Sequence, residues 1–180
     1  MNARHARGYT LVELLVVVGI IALIAMIAVP QMSSNEPQQL AIAASEYGAA
    51  MRFARSEALR TGTPHGFTLT KDSKSLQVFR MDGTAPDAKP VYDVRHPVSK
   101  ALYHIDIDKH AFAAADAIAL TATFRGTCNS DDSVRFDVNG TPRCLDSIKS
   151  ILKTLNVAMK LGADQAAVNL DGLTGRVTVQ

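Results

Sequence analysis

Gly8-Tyr9-Thr10-Leu11-Val12-Glu13-Leu14, running on into the uncharged stretch Leu14 to Val29, decides how this chain is read. A removable secretory signal has an apolar run of roughly 7 to 15 residues and then a small-x-small cleavage site. Here the run is longer, ends in Ile27-Ala28-Val29-Pro30, and has Met26 where a small residue is needed. A permanent anchor fits the length better. Leu11 to Val29 is 19 residues, and at about 1.5 Å each they approach the roughly 30 Å of a bilayer's hydrocarbon core. That reading leaves Glu13 unexplained. An ionised carboxylate near the start of a spanning helix costs on the order of 1 to 3 kcal/mol unless it is paired or interfacial, so it marks a function by default.

Outside this run the chain is an ordinary mixed soluble sequence, although 47% of all its residues are hydrophobic. Its 180 residues suit one modest domain with an N-terminal appendage. Arg4 and Arg7 carry the formal net charge of +2, so the chain beyond Gly8 is formally neutral. Neutrality offers no bulk attraction for a polyanion, which is usually held by clustered Lys and Arg. Those two arginines precede the apolar run and no basic residue follows it until Arg52. The positive-inside rule therefore puts the leader in the cytoplasm and the bulk of the chain outside.

The stretch Gly8 to Leu14 resembles the type IV prepilin signature, in which a dedicated peptidase cuts after the glycine and methylates the new N-terminal amine. The resemblance implies cleavage between Gly8 and Tyr9, with Tyr9 standing where the family usually has Phe. It also implies a role for Glu13, five residues into the mature chain, in neutralising the N-terminal amine of a neighbouring subunit. Opposite charges a few ångströms apart in low dielectric attract strongly, which would draw a subunit into register.

From Gln38 to Arg60, Leu40, Ala43, Ala44, Tyr47, Ala50, Met51, Ala54, Ala58 and Leu59 recur at spacings of three and four, the mark of an amphipathic helix. Gly62, Thr63 and Pro64 end it. Pro30 removes one helical hydrogen bond and predicts a kink or local melting. The segment Met51 to Gly62 resembles the helix end of the GspH/FimT group of minor pilins, and Leu173-Thr174-Gly175-Arg176-Val177 resembles that group's C-terminus. These likenesses cover roughly the first 62 and the last 8 residues, with a looser one at Val134 to Pro142. They imply an α+β pilin fold: a long N-terminal helix, kinked near Pro30, packed on an antiparallel β-sheet domain. The expected divisions are a leader over 1–8, a transmembrane assembly helix over 9–30, its amphipathic half over 31–62 and a periplasmic domain over 63–180. Arg52, Arg55 and Arg60 read as a solvated helix face.

After Pro64 the period changes to two. Strands are expected at Gly66 to Thr70, Ser75 to Met81, Leu102 to Asp108, Ile118 to Arg125, Ser133 to Val138, Leu155 to Leu161, Gln165 to Leu170 and Gly175 to Val179. Asn139-Gly140 signals a two-residue hairpin turn. Ile148, Ile151 and Leu152 suggest one helical turn. Cys128 and Cys144, both outside the cytoplasm on this topology, are expected to form a disulfide. Closing the 15 residues between them contributes roughly 3 kcal/mol in the chain-entropy model.

Three function classes meet these residues. The first is a structural subunit of a type II secretion pseudopilus or a type IV pilus. Resemblance implies as its partners other pilin or pseudopilin subunits, the prepilin peptidase and an inner-membrane assembly platform. The second is DNA capture, since some relatives in the GspH/FimT group bind DNA through a C-terminal Gly-Arg-x-Arg. Here Gly175, Arg176, Val177 and Thr178 lack the second arginine, which leaves Arg176 as the one candidate contact and weakens the electrostatic term. The third is a metal or catalytic site. His104, Asp106, Asp108 and His110 alternate and would line one face of a strand, but a solvent-facing polar edge explains them more simply. No Gly-x-Ser-x-Gly, phosphate-binding glycine loop or His-Glu-x-x-His occurs. The chain reads as a non-enzymatic, single-pass inner-membrane protein without cofactor or metal.

Overall fold

The computed structural model describes residues 10–31, 36–70, 72, 74–83, 88–109, 117–128, 132–145 and 150–180. The chain forms two compact units, Met1–Asn35 and Glu36–Gln180. The first holds helix α1, Leu11–Gln31. Its 21 residues span about 31 Å. Pro30 lies within it, and the backbone stays helical through the preceding turn, where a proline disturbs the i−4 carbonyl, so the expected local melting does not occur there; residues 32–35 are outside those described.

In the second unit, helix α2 (Glu36–Thr61) carries a buried stripe of Leu40, Ala43, Ala44, Tyr47, Gly48, Ala50, Met51, Ala54 and Ala58. The stripe is mostly alanine, so the helix axis lies close to the strands. Leu59, expected on this face, is instead 52% exposed. The helix stops at Gly62, whose φ of +66° suits a residue without Cβ and whose amide donates to the Ala58 carbonyl at 3.1 Å.

Among the described residues ten strands follow: β1 (His65–Thr70), β2 (Ser75–Asp82), β3 (Lys89–Val91), β4 (His104–Asp106), β5 (Ala119–Gly126), β6 (Ser133–Phe136), β7 (Pro142–Cys144), β8 (Leu152–Leu161), β9 (Asp164–Asp171) and β10 (Val177–Val179). They make two sheets. One runs β3-β2-β1-β6-β7 with β4 also on β2, and the other runs β10-β9-β8-β5. Every named pairing is antiparallel. The core lies where both sheets meet the α2 stripe: Phe67, Leu69, Leu76, Val78, Val134 and Phe136 from the first sheet, and Leu155, Val157, Met159, Val168 and Leu170 from the second. Alternation along each strand sends these residues to one side. The disulfide between Cys128, just past β5, and Cys144, in β7, ties one sheet to the other across a Cα separation of 5.5 Å.

Several expected boundaries move, each for a local reason. The strand expected over Leu102 to Asp108 is only β4, because Ile107–Lys109 closes into a 3-10 turn that buries Ile107. β6 ends at Phe136, since the Asp137 carboxylate accepts the amides of Asn139 and Thr141 at 3.0 and 2.9 Å. The β6–β7 connection is therefore five residues wide, with Phe136 opposite Pro142, and only Gly140 takes a positive φ there, +75°. Ile151 and Leu152 are extended, bridged to Arg143 and paired with Gly126 respectively, so the expected helical turn is absent at those two; Ile148 is outside the described residues. The last strand begins at Val177, because Gly175 sits at φ +67° and donates its amide to the Asp171 carbonyl at 2.9 Å.

Candidate functional site

Elementary helix chemistry explains the start of α1. Thr10 is the N-cap: its carbonyl accepts from the Leu14 amide at 3.2 Å and its Oγ1 from the Glu13 amide at 3.3 Å. Thr10-Leu11-Val12-Glu13 thus has the spacing of a capping box, and the Glu13 carboxylate also lies at the positive end of the helix dipole. This local role is legible in the sequence, though the prepilin reading of Glu13 passes over it. Gly8 and Tyr9 lie outside the described residues.

Beyond Glu13, α1 is apolar on every side. Leu11, Val12, Leu14, Leu15, Val16, Val17, Val18, Ile20, Ile21, Leu23 and Ile24 are each at least half exposed on the isolated chain. Leaving these side chains in water costs on the order of 10 kcal/mol or more. A helix apolar all round needs an apolar surrounding. Taken over the described residues, no helix is long and apolar enough to cross a membrane. The described side chains of α1 stop at Ile24, however, while its helical backbone continues to Gln31.

On the second unit the expected solvated face of α2 is only partly so. Arg52 is exposed and Arg60 pairs with Glu57 at 2.6 Å. Arg55 differs: its Nε donates to the Gly140 carbonyl at 3.2 Å and its Nη2 to the Thr174 carbonyl at 2.9 Å. It clamps the helix to the β6–β7 loop of one sheet and the β9–β10 turn of the other.

The alternating set His104, Asp106, Asp108 and His110 does not share a strand face. His104 and Asp106 are in β4, whereas Asp108 turns away in the 3-10 segment and pairs with Lys74 Nζ at 2.9 Å. Asp106 pairs with Lys109 Nζ at 2.8 Å, which holds its carboxyl below the usual range, and His110 is outside the described residues. Among the described residues no three His, Cys, Asp or Glu side chains converge as a metal site. Nearby, a cleft of about 500 Å³ is lined by Glu46, His96, Tyr103, His104 and Asp106. The ring nitrogen Nδ1 of His96 is occupied there by the Val98 and Ser99 amides, both at 3.2 Å. Next to β4, the Tyr47 hydroxyl donates to the Lys74 carbonyl at 2.6 Å. Burial, and then Asp106 and Asp108, raises its pKa, so it stays a neutral donor. Arg176 is exposed and shares a shallow recess with Asp171, Asn169 and Thr178. A carboxylate there works against phosphate binding.

Residues 3–29 match the family model described as the prokaryotic N-terminal methylation motif. No curated protein matches the chain in sequence at a significant level. In three dimensions it is similar to the type IV minor pilin FimU of Pseudomonas aeruginosa, at 17% identity over 81% of this chain and 91% of that one, with a TM-score of 0.50. It is also similar to the minor pseudopilin EpsH of the type 2 secretion system of Vibrio cholerae, at 10% identity over 79% of this chain and 96% of that one, with a TM-score of 0.52. An N-terminal methylation motif and the α+β fold of minor pilins and pseudopilins thus occur on one chain.

Proposed function

We propose that this type IV pilin-like chain is a minor pilin or pseudopilin, a structural subunit that is inserted in the inner membrane, processed and assembled into a filament through α1. One observation carries the reading: the methylation motif over residues 3–29 precedes a domain with the minor-pilin fold. The chemistry is done to the protein. A prepilin peptidase hydrolyses the Gly8–Tyr9 bond, releasing the basic leader 1–8, and the Tyr9 amine is methylated. The segment 9–30 crosses the membrane with Arg4 and Arg7 on the cytoplasmic side, and 63–180 forms the periplasmic domain. All-round apolarity of α1 supports both its places, in lipid before assembly and among sister helices after it. Glu13, fixed at the third helical position by the Thr10 cap, offers its carboxylate to the amine of an adjoining subunit. The assembly platform and other pilin-like subunits are the partners. DNA capture is the weaker reading, with Arg176 beside Asp171.

The test is intact-mass and N-terminal peptide analysis of the membrane-expressed chain with and without a co-expressed prepilin peptidase. A mature chain beginning at N-methylated Tyr9 only when the peptidase is present supports the proposal. Retention of residues 1–8 in both samples refutes it and leaves a plain anchor. In the same system Glu13→Ala should be cleaved normally but enter filaments poorly; normal incorporation would remove the amine-pairing role.

A further inference from the structure

The outer face of the first sheet, opposite the core, carries two arginines that break a pairing rule. Arg135 in β6 lies directly across from Arg143 in β7, and like charges in that relation repel. Arg135 also faces Gly66 of β1, which in turn faces Phe79 of β2. With no side chain on Gly66, the Phe79 ring lies over β1: a Cβ there would run into Phe79 Cζ and the Arg135 Cα. Phe79 is fully buried, so Arg135 rises beside an apolar patch and not into open water.

Among the described residues the charge around the pair does not balance. Asp137 is the carboxylate that acts on both arginines. Its Oδ1 already accepts two loop amides, and its Oδ2 reaches Arg143 Nε only at 3.5 Å. Arg135 Nε is buried and, among the described residues, has no acceptor. Burial, followed by the charge of Arg143, lowers the Arg135 pKa. Among the described residues two guanidiniums thus share one partly committed carboxylate, and a donor is left unpaired. A buried unpaired donor is costly, and such breaches of local consistency gather at functional sites.

We infer that Arg135 and Arg143 form an oxyanion-binding site on the outer face of the first sheet, taking a carboxylate or phosphate group through their guanidinium forks. The planar fork donates two parallel N–H bonds to the paired oxygens of such a group. Asp137 holds Arg143 in place and leaves Arg135 as the principal donor. The site is built from residues of Glu36–Gln180 alone and makes no use of leader cleavage, so its failure leaves the filament reading intact.

The test is thermal unfolding of the full chain in mild detergent, followed by circular dichroism, with about 10 mM sodium phosphate, sodium glutarate or sodium chloride at matched ionic strength. One oxyanion should raise the wild-type Tm by about 2 to 4 °C over chloride, saturably. Whether phosphate or glutarate does so identifies the group. Arg135→Met, which keeps the aliphatic stem, should abolish the shift, while its Tm in chloride should equal or exceed that of wild type. Arg125→Met, at an exposed β5 position, should keep the full shift. Should Arg135→Met fail to fold, Arg135→Lys retains the charge without the fork and should lose most of the shift. Equal wild-type Tm in all three salts, or an undiminished shift in the Arg135 variant, overturns the site.

Discussion

Replacing Arg55 by methionine removes a guanidinium and keeps the stem, so it isolates the clamp between α2 and the two sheets. A hydrogen bond from a charged donor contributes roughly 1.5 to 3 kcal/mol. The bond to Thr174 is exposed, and water would replace most of it; the bond to Gly140 is partly buried and the loop carbonyl would be left poorly solvated. The expected loss is therefore about 2 to 3 kcal/mol, near the upper value for a single charged bond and well short of twice that value. The chain has no tryptophan, so urea unfolding of the detergent-solubilised protein is best followed by far-UV circular dichroism. With m of roughly 2 kcal/mol per molar, the midpoint should fall by about 1 to 1.5 M at unchanged m. Arg52→Met, on the exposed face of the same helix, serves as the control and should move it by less than about 0.25 M. A midpoint for Arg55→Met as close to wild type as that of the control would refute the clamp and restore a simple solvated face.

Other perturbations test the packing around it. Gly66→Ala would drive a Cβ into the Val134 carbonyl oxygen and Phe79 Cζ, which separates β1 from β6 and should cost roughly 4 kcal/mol or more. A cooperative melt within about 1 kcal/mol of wild type would show that the sheet yields there. Reducing the Cys128–Cys144 bond frees a 15-residue loop and should lower stability by roughly 3 kcal/mol; identical urea midpoints with and without reductant would deny it that role. Arg80 donates to both Asp93 carboxylate oxygens, at 2.9 and 3.0 Å, and holds that carboxyl below its usual range. Glu57 and Asp106 are lowered by Arg60 and Lys109. A depressed carboxyl stabilises the fold above its unfolded pKa of about 4 and loses that contribution as pH falls through the lower folded value. Stability should therefore decline from about pH 4 downward, and less steeply in Arg80→Met; a midpoint unchanged down to about pH 2.5 would contradict the pairing.

What the sequence made legible follows from how far apart the interacting residues are along the chain. Helix α2 was readable because its stripe repeats every three or four residues and its stop, Gly62, is adjacent. β1, β2, β8 and β9 were readable because alternation is local. The three-residue β3 carries too few positions to alternate. The break after Asp106 depends on Lys74 meeting Asp108, 34 residues away, and no pattern near Asp108 announces it. The Arg55 clamp reaches backbone carbonyls 85 and 119 residues on, acceptors that any residue type could supply. Register hides the arginine pair in the same way. Had Asn139-Gly140 made a two-residue turn, Arg135 and Arg143 would not have been placed opposite each other; the Asp137 side chain sets the wider loop that aligns them.

The division of the chain bears on how the proposed processing and the folding would coexist. Every fully buried hydrophobic side chain described belongs to residues 40–170, and none to α1. The core consists of the α2 stripe, the inner faces of both sheets and the connecting residues Tyr103, Ile107 and Ile118, and its cross-ties, the disulfide and Arg55, also lie wholly within Glu36–Gln180. Loss of residues 1–8 thus removes two positive charges and touches none of those contacts. The domain's stability should therefore be the same in uncleaved and cleaved chains. Such independence would suit the proposed filament subunit, whose N-terminal helix changes surroundings while its folded domain does not. A urea midpoint for the domain that moved by more than about 0.25 M when the leader was cut would show a coupling between the units and defeat this account.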